Sequence, residues 1–128
     1  MKIKAAVLEE IGRPAPYAKS RPISVCEIDL EGPRDGEVLI KIMAAGLCHS
    51  DLSVVNGDRA RQLPLVMGHE SAGIVQAVGP DVDRFELGDH VVTVFVPSCG
   101  HCGPCRAGRP ALCEPGAAAN GAATLIGG

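Results

Sequence analysis

From its first residues the chain alternates polar and apolar positions. Lys2, Ile3, Lys4 and Ala5 open a run to Leu8 that reads as a strand, because successive side chains of an extended backbone point to opposite faces. Gly12-Arg13-Pro14 and Pro16 then break the run into a surface turn. A second strand is predicted within Arg21–Leu30, carrying Ile23, Val25 and Cys26 and closed by the turn residues Glu31-Gly32-Pro33-Arg34-Asp35-Gly36. The clearest strand follows over Gly36–Ala45, with Val38, Ile40 and Ile42 on one face and Glu37, Leu39 and Lys41 on the other. Ser50, Leu52, Val54 and Val55 then lead to Gly57, which predicts a short capped helix with Cys48 just ahead of its first turn. Beyond the polar loop Asp58–Gln62, Leu63–Val66 leads into Gly68-His69-Glu70 and a strand over Ala72–Gly79. Asp81–Asp89 reads as a polar hairpin connection with Phe85 turned inward, and the valine-rich run His90–Val96 as the last strand.

Strand periodicity therefore dominates, and the 128 residues leave room for one domain with a modest core. Aromatic residues make up only 2% and there is no Trp, so that core must be built from Val, Ile, Leu and Ala. Sixteen Gly and ten Pro suit a turn-rich β architecture better than a helical one. The net charge of −3 offers no basic footprint for nucleic acid or for an anionic membrane surface. No apolar segment approaches the ~20 residues of a membrane helix, and Met1–Glu10 lacks a secretory signal, so a cytoplasmic protein is expected. The Ala- and Gly-rich tail Pro115–Gly128 has too little apolar bulk to order itself alone. It stops at Gly127-Gly128, where a strand would begin, so the chain reads as cut short.

Chemistry concentrates in Cys99-Gly-His-Cys102-Gly-Pro-Cys105 and Cys113, four thiols within fifteen positions. Interleaved glycines and Pro104 permit the turns that bring four sulfurs to one centre, as a tetrahedral zinc with Zn–S distances of about 2.3 Å requires. Disulfides are the first alternative, disfavoured without an oxidising compartment. An iron–sulfur cluster is the second. Its C-x2-C-x2-C spacing matches here, but Glu114, not Pro, follows Cys113. Cys26 stands apart and reads as a small buried hydrophobe.

Taken in order, Gly46-Leu-Cys48-His49-Ser50-Asp51, Gly68-His69-Glu70-x-x-Gly73, Gly88-Asp89-x-Val91 and the four thiols resemble the N-terminal catalytic domain of the zinc-dependent medium-chain alcohol dehydrogenases. The resemblance runs from about Lys2 to Cys113, roughly a third of a typical family member. It implies a mainly β, GroES-like, partly open antiparallel β-barrel with a short helix and a structural-zinc lobe over 97–115. Residues 1–128 would be the incomplete N-terminal part of the catalytic domain, with the nucleotide-binding domain absent.

The same resemblance implies that Cys48 and His69 bind a catalytic zinc with a further Cys outside this chain, and that Cys99, Cys102, Cys105 and Cys113 bind a structural zinc. Ser50 matches the hydroxyl that takes the alcohol proton; its bland reading is a helix cap. Glu70 matches a glutamate close to the metal, Asp51 a carboxylate that holds the metal-binding imidazole, His49 a contact to the cofactor pyrophosphate, and Phe95 a wall of the substrate pocket. Where many members carry a relay histidine, this chain has Ser53, so the proton path would end through water or the cofactor ribose. The implied activity is oxidation of a small-molecule alcohol, or reduction of an aldehyde, by hydride transfer with NAD or NADP, in a full-length homo-oligomer. This segment alone is expected to be inactive. A free-standing module with only a structural zinc, and a zinc-free quinone reductase relative, are the competing readings.

Overall fold

The computed structural model describes residues 1–122. Strand β1 (Lys2–Leu8) pairs antiparallel with β2 (Ile23–Asp29), from Lys2 against Asp29 to Leu8 against Ile23. The connection between them carries one helical turn, α1 (Tyr17–Ser20). On its other edge β1 takes the two-residue β4 (Leu65–Val66), giving the order β2-β1-β4. A second sheet has β3 (Val38–Ala45), β5 (Ser71–Val78) and β6 (His90–Val92) in that order, also antiparallel. The result is mainly β, with two small sheets that do not close into a barrel.

The core gathers where α2 (His49–Val55) lies on the first sheet. Val54 and Val55 on one side of the helix pack against Leu8, with Tyr17, Ile23, Leu65 and Met67 around them. Leu8 is buried beneath this helix, and Val7, on the opposite face of β1, is buried as well, so alternation leaves neither face wet at the end of the strand. Helix and strand thus hold each other, and the N-terminus of α2 is fixed relative to the loop that carries His69.

Four expectations are corrected. The last strand stops at Val92 rather than Val96, since β5 begins at Ser71 and Thr93 N–H already bonds the Ser71 carbonyl at 2.9 Å. Among the described residues no partner strand extends further, and valine content alone makes no ladder. Phe85 is 43% exposed instead of tucked inward; its connection is held by Glu86 N–H to Asp89 Oδ2 (2.9 Å) and Gly88 N–H to Val75 O (3.0 Å). Cys26, expected as a buried hydrophobe, is only half-buried, opposite Ala5 in the β1–β2 ladder.

The tail is ordered over its first part as α4 (Glu114–Ala122), anchored by Ala117 N–H to the Cys113 carbonyl at 2.9 Å. Gly116 lets the Pro97 carbonyl approach where any Cβ would collide. Order there comes from docking, which composition does not encode. The strand expected from Gly127-Gly128 lies outside the described residues.

Candidate functional site

Cys48 occupies the N-cap of α2, in extended conformation (φ −107°, ψ 150°), and Asp51 is the third helical residue. That spacing lets the Asp51 carboxylate reach back, so its Oδ2 accepts the Cys48 N–H at 3.1 Å. The other oxygen, Oδ1, lies 3.2 Å from His69 Nδ1. One carboxylate therefore ties the helix start to the loop before β5. Ser50 does not cap the helix. It sits in the first turn with its Oγ 3.2 Å from His69 Nε2, so both ring nitrogens of His69 are engaged from α2. With Nδ1–H donated to Asp51, Nε2 carries the lone pair, the tautomer that suits an imidazole ligand.

His69 follows Gly68, whose φ of +105° turns the chain into the strand in a conformation that L side chains rarely adopt. Thr93 fixes the far side of this turn: its Oγ1 donates to the His69 carbonyl at 2.5 Å and accepts the Ser71 N–H at 2.9 Å. Glu70 is exposed, with its main chain held by Gly46 N–H to Glu70 O at 2.7 Å. One ligand atom each from Cys48, His69 and Glu70 lies within 4.8 Å of the others, a thiol–imidazole–carboxylate set converging on one point. His49 is exposed at the first helical position, and Ser53 Oγ donates back to its carbonyl at 3.2 Å.

Beside this set opens a cleft of about 410 Å³ lined by Ser50, Asp51, His69, Phe95, Arg59 and Arg61 among others. Phe95 meets the His69 ring edge-on, centroids 5.0 Å apart at 61°. Sequence reading had pointed to Phe95 but not to Arg59, Arg61, Thr93 or Asn120. The arginines alternate across a loop that pattern marks only as polar, and Asn120 lies in the tail; neither place gave a signal beyond residue type.

The second cluster forms around α3 (Gly103–Arg106) and a 3-10 turn (Pro110–Leu112). The sulfurs of Cys99, Cys102, Cys105 and Cys113 lie within 4.8 Å of one another and all are free thiols. Tetrahedral zinc with Zn–S of about 2.3 Å needs sulfurs about 3.8 Å apart, so the set is compatible with a structural zinc. Backbone donors already face the sulfurs: Cys99 N–H to Cys113 Sγ at 3.2 Å, Cys102 N–H to Cys99 Sγ at 3.3 Å, and Gly116 N–H to Cys113 Sγ at 3.3 Å. The His101 and Cys102 N–H groups hold the Cys99 thiol down to about 6, whereas loss of water around Cys105 and its hydrogen bond with Cys102 push that thiol up to about 12. Four thiols in one space do not ionise alike without a cation between them. The His101 imidazole is exposed and stands outside the thiol set; His101 serves only through its backbone N–H, which donates to Cys99 Sγ at 3.4 Å.

Fold and donor sets together define the class: a GroES-like, mainly β domain with a four-thiol lobe and a separate thiol–imidazole pair beside a cleft. The chain belongs to the alcohol dehydrogenase GroES-like domain family, whose model matches residues 34–128. It is 50% identical over 117 residues to the NDMA-dependent alcohol dehydrogenase of Amycolatopsis methanolica, a match covering 91% of this chain and 29% of that protein. It is 48% identical over 118 residues to alcohol dehydrogenase B of Mycobacterium tuberculosis, again covering 91% of this chain and 29% of that protein. Among solved structures, benzyl alcohol dehydrogenase from Acinetobacter calcoaceticus superposes with a TM-score of 0.80 at 34% identity, over 100% of this chain and 33% of that one. A cobalt- and zinc-bound thermostable alcohol dehydrogenase from Pyrobaculum aerophilum gives 0.74 at 34% identity, over 89% and 33%. The chain thus spans less than a third of the length of these curated relatives. Among the described residues no helix is long and apolar enough to cross a membrane.

Proposed function

We propose that this chain is the N-terminal part of the catalytic domain of a zinc-dependent alcohol dehydrogenase, which oxidises an alcohol to an aldehyde or ketone, or runs the reverse reduction, with NAD or NADP. The observation that carries the reading is the double use of Asp51, which holds the Cys48 backbone and the His69 imidazole at once. Its effect is to aim one sulfur and one ring nitrogen at a common point while the cleft side stays open. The donor set fits zinc, which is borderline-soft and takes thiolate and imidazole together.

Cys48 and His69 would hold that ion, with Glu70 beside them. Zinc bound there acts as a Lewis acid that lowers the pKa of an alcohol hydroxyl. Ser50 Oγ, on the same cleft, accepts the hydroxyl proton. Ser53 does not carry the proton onward, because its hydroxyl is turned to the His49 carbonyl; water or the cofactor ribose completes the path. His49 faces the cofactor pyrophosphate, and Phe95 forms a wall against the substrate. Cys99, Cys102, Cys105 and Cys113 would hold a second, structural ion with four thiolates and leave no position for chemistry.

Metal counting on the full-length protein tests this reading. Two zinc ions per chain are expected, with Cys48→Ser removing one and Cys102→Ser the other, and with turnover of primary alcohols lost in Cys48→Ser. A single zinc that survives Cys48→Ser and disappears in Cys102→Ser overturns the reading in favour of a structural module.

A further inference from the structure

Two guanidinium groups line the cleft that also holds Ser50 and His69. Arg59 lies over the Phe95 ring, 5.5 Å from its centroid, and that ring in turn meets His69. Arg61 is half-buried and donates from Nη2 to Asn120 Oδ1 at 3.0 Å. Asn120 then donates from Nδ2 to the Phe95 carbonyl at 2.5 Å, so α4 braces both the arginine and the aromatic wall. Among the described residues neither guanidinium forms an ion pair, and Asp51, the cleft's carboxylate, is occupied by His69 and Cys48.

Arg61, partly out of water and with no counter-ion, presents a fork that matches a carboxylate or phosphate, and the exposed Arg59 adds a second positive charge at the mouth of the cleft. Stacking of Arg59 on Phe95 and bracing of Arg61 by Asn120 reduce the ordering that a ligand must impose. We propose that the substrate is an alcohol whose far end is anionic, a hydroxy acid. Its charge sits on Arg61 and Arg59, its chain crosses Phe95, and its hydroxyl reaches Ser50 and His69. Arg59 and Arg61 then determine specificity, and Asn120 is a positioning residue for Arg61. This inference rests on the dehydrogenase reading and narrows its substrate class.

The test compares kcat/KM of the full-length zinc-loaded enzyme for 6-hydroxyhexanoate and 1-hexanol. One charge-assisted pair supports a preference of about tenfold or more for the hydroxy acid, falling as salt rises. Arg61→Gln should collapse the ratio and Arg61→Lys, which keeps the charge, should restore part of it. Oxidation of both alcohols without preference, or a preference that Arg59→Gln and Arg61→Gln both leave intact, overturns the inference while the dehydrogenase reading stands. If neither alcohol is oxidised, that reading fails separately, and calorimetry decides the anion site. Hexanoate binding that is weakened about tenfold by Arg61→Gln supports it, and binding that Arg61→Gln does not change overturns it.

Discussion

The two oxygens of Asp51 hold Cys48 and His69 in one frame, Oδ2 on the Cys48 N–H at 3.1 Å and Oδ1 on His69 Nδ1 at 3.2 Å. An amide at this position keeps the shape but presents an N–H₂ where one of the two donors now finds an acceptor. Carboxylates behind a ligand imidazole typically control metal affinity by about 10–100-fold. Asp51→Asn is therefore expected to weaken one zinc site by that factor and leave the other unchanged, as read by chelator competition in which the two ions leave in separate phases. Equal weakening of both phases would show that Asp51 acts on the fold as a whole.

The metal-free lobe carries its own pH dependence. Cys99, held at about 6 against an ordinary 9.0, is ionised in the fold and protonated in the unfolded chain between those values. The unfolded state binds more protons there, so stability rises with pH across that window, and it is lost as pH falls through 6. Cys105, pushed up to about 12, has the opposite sign: its contribution is present below 9 and is lost as pH rises above 9. Melting of the chelated, reduced protein is expected to peak near pH 9, with the rise between pH 6 and 9 diminished in Cys99→Ser. A flat profile in both proteins would sink the assignment.

Much of this was legible from spacing. Strands β1 and β3 follow alternation, β2 and β5 follow apolar runs bounded by turn residues, and the thiols at 99, 102, 105 and 113 announce one centre. What sequence could not carry depends on a partner distant along the chain. Val94 is 67% exposed despite lying in a run of strand-forming residues, because among the described residues no strand faces it. Asn120 matters because Arg61, fifty-nine positions earlier, and the Phe95 carbonyl, twenty-five positions earlier, come to its side. Ser50 looked equally suited to capping a helix, and only the placement of His69 Nε2 at 3.2 Å shows where its hydroxyl turns.

Leu8 and Val25 are both apolar residues of the first sheet, yet Leu8 is 0% exposed beneath α2 and Val25 is 75% exposed. Leu8→Ala removes contacts with Val54 and Val55 and leaves a cavity, at a cost of about 2–5 kcal/mol in urea denaturation. Val25→Ala should stay within about 0.5 kcal/mol. Similar losses at both positions would mean that another element covers Val25.

Two glycines of α4 separate propensity from packing. Alanine is favoured over glycine in a helix by up to about 1 kcal/mol, so propensity alone predicts that both Gly116→Ala and Gly121→Ala stabilise. At Gly121 a Cβ would meet nothing within 4 Å, and a small gain is expected. At Gly116 it would run into the Pro97 carbonyl and stand 3.2 Å from Cys113 Sγ, the sulfur that receives the Gly116 N–H. Either α4 moves off Pro97 or Cys113 shifts, and in both cases the thiol cluster loosens. Gly116→Ala should therefore lower the melting temperature and weaken zinc retention, opposite in sign to Gly121→Ala. A rise in both would show that α4 is not wedged against Pro97.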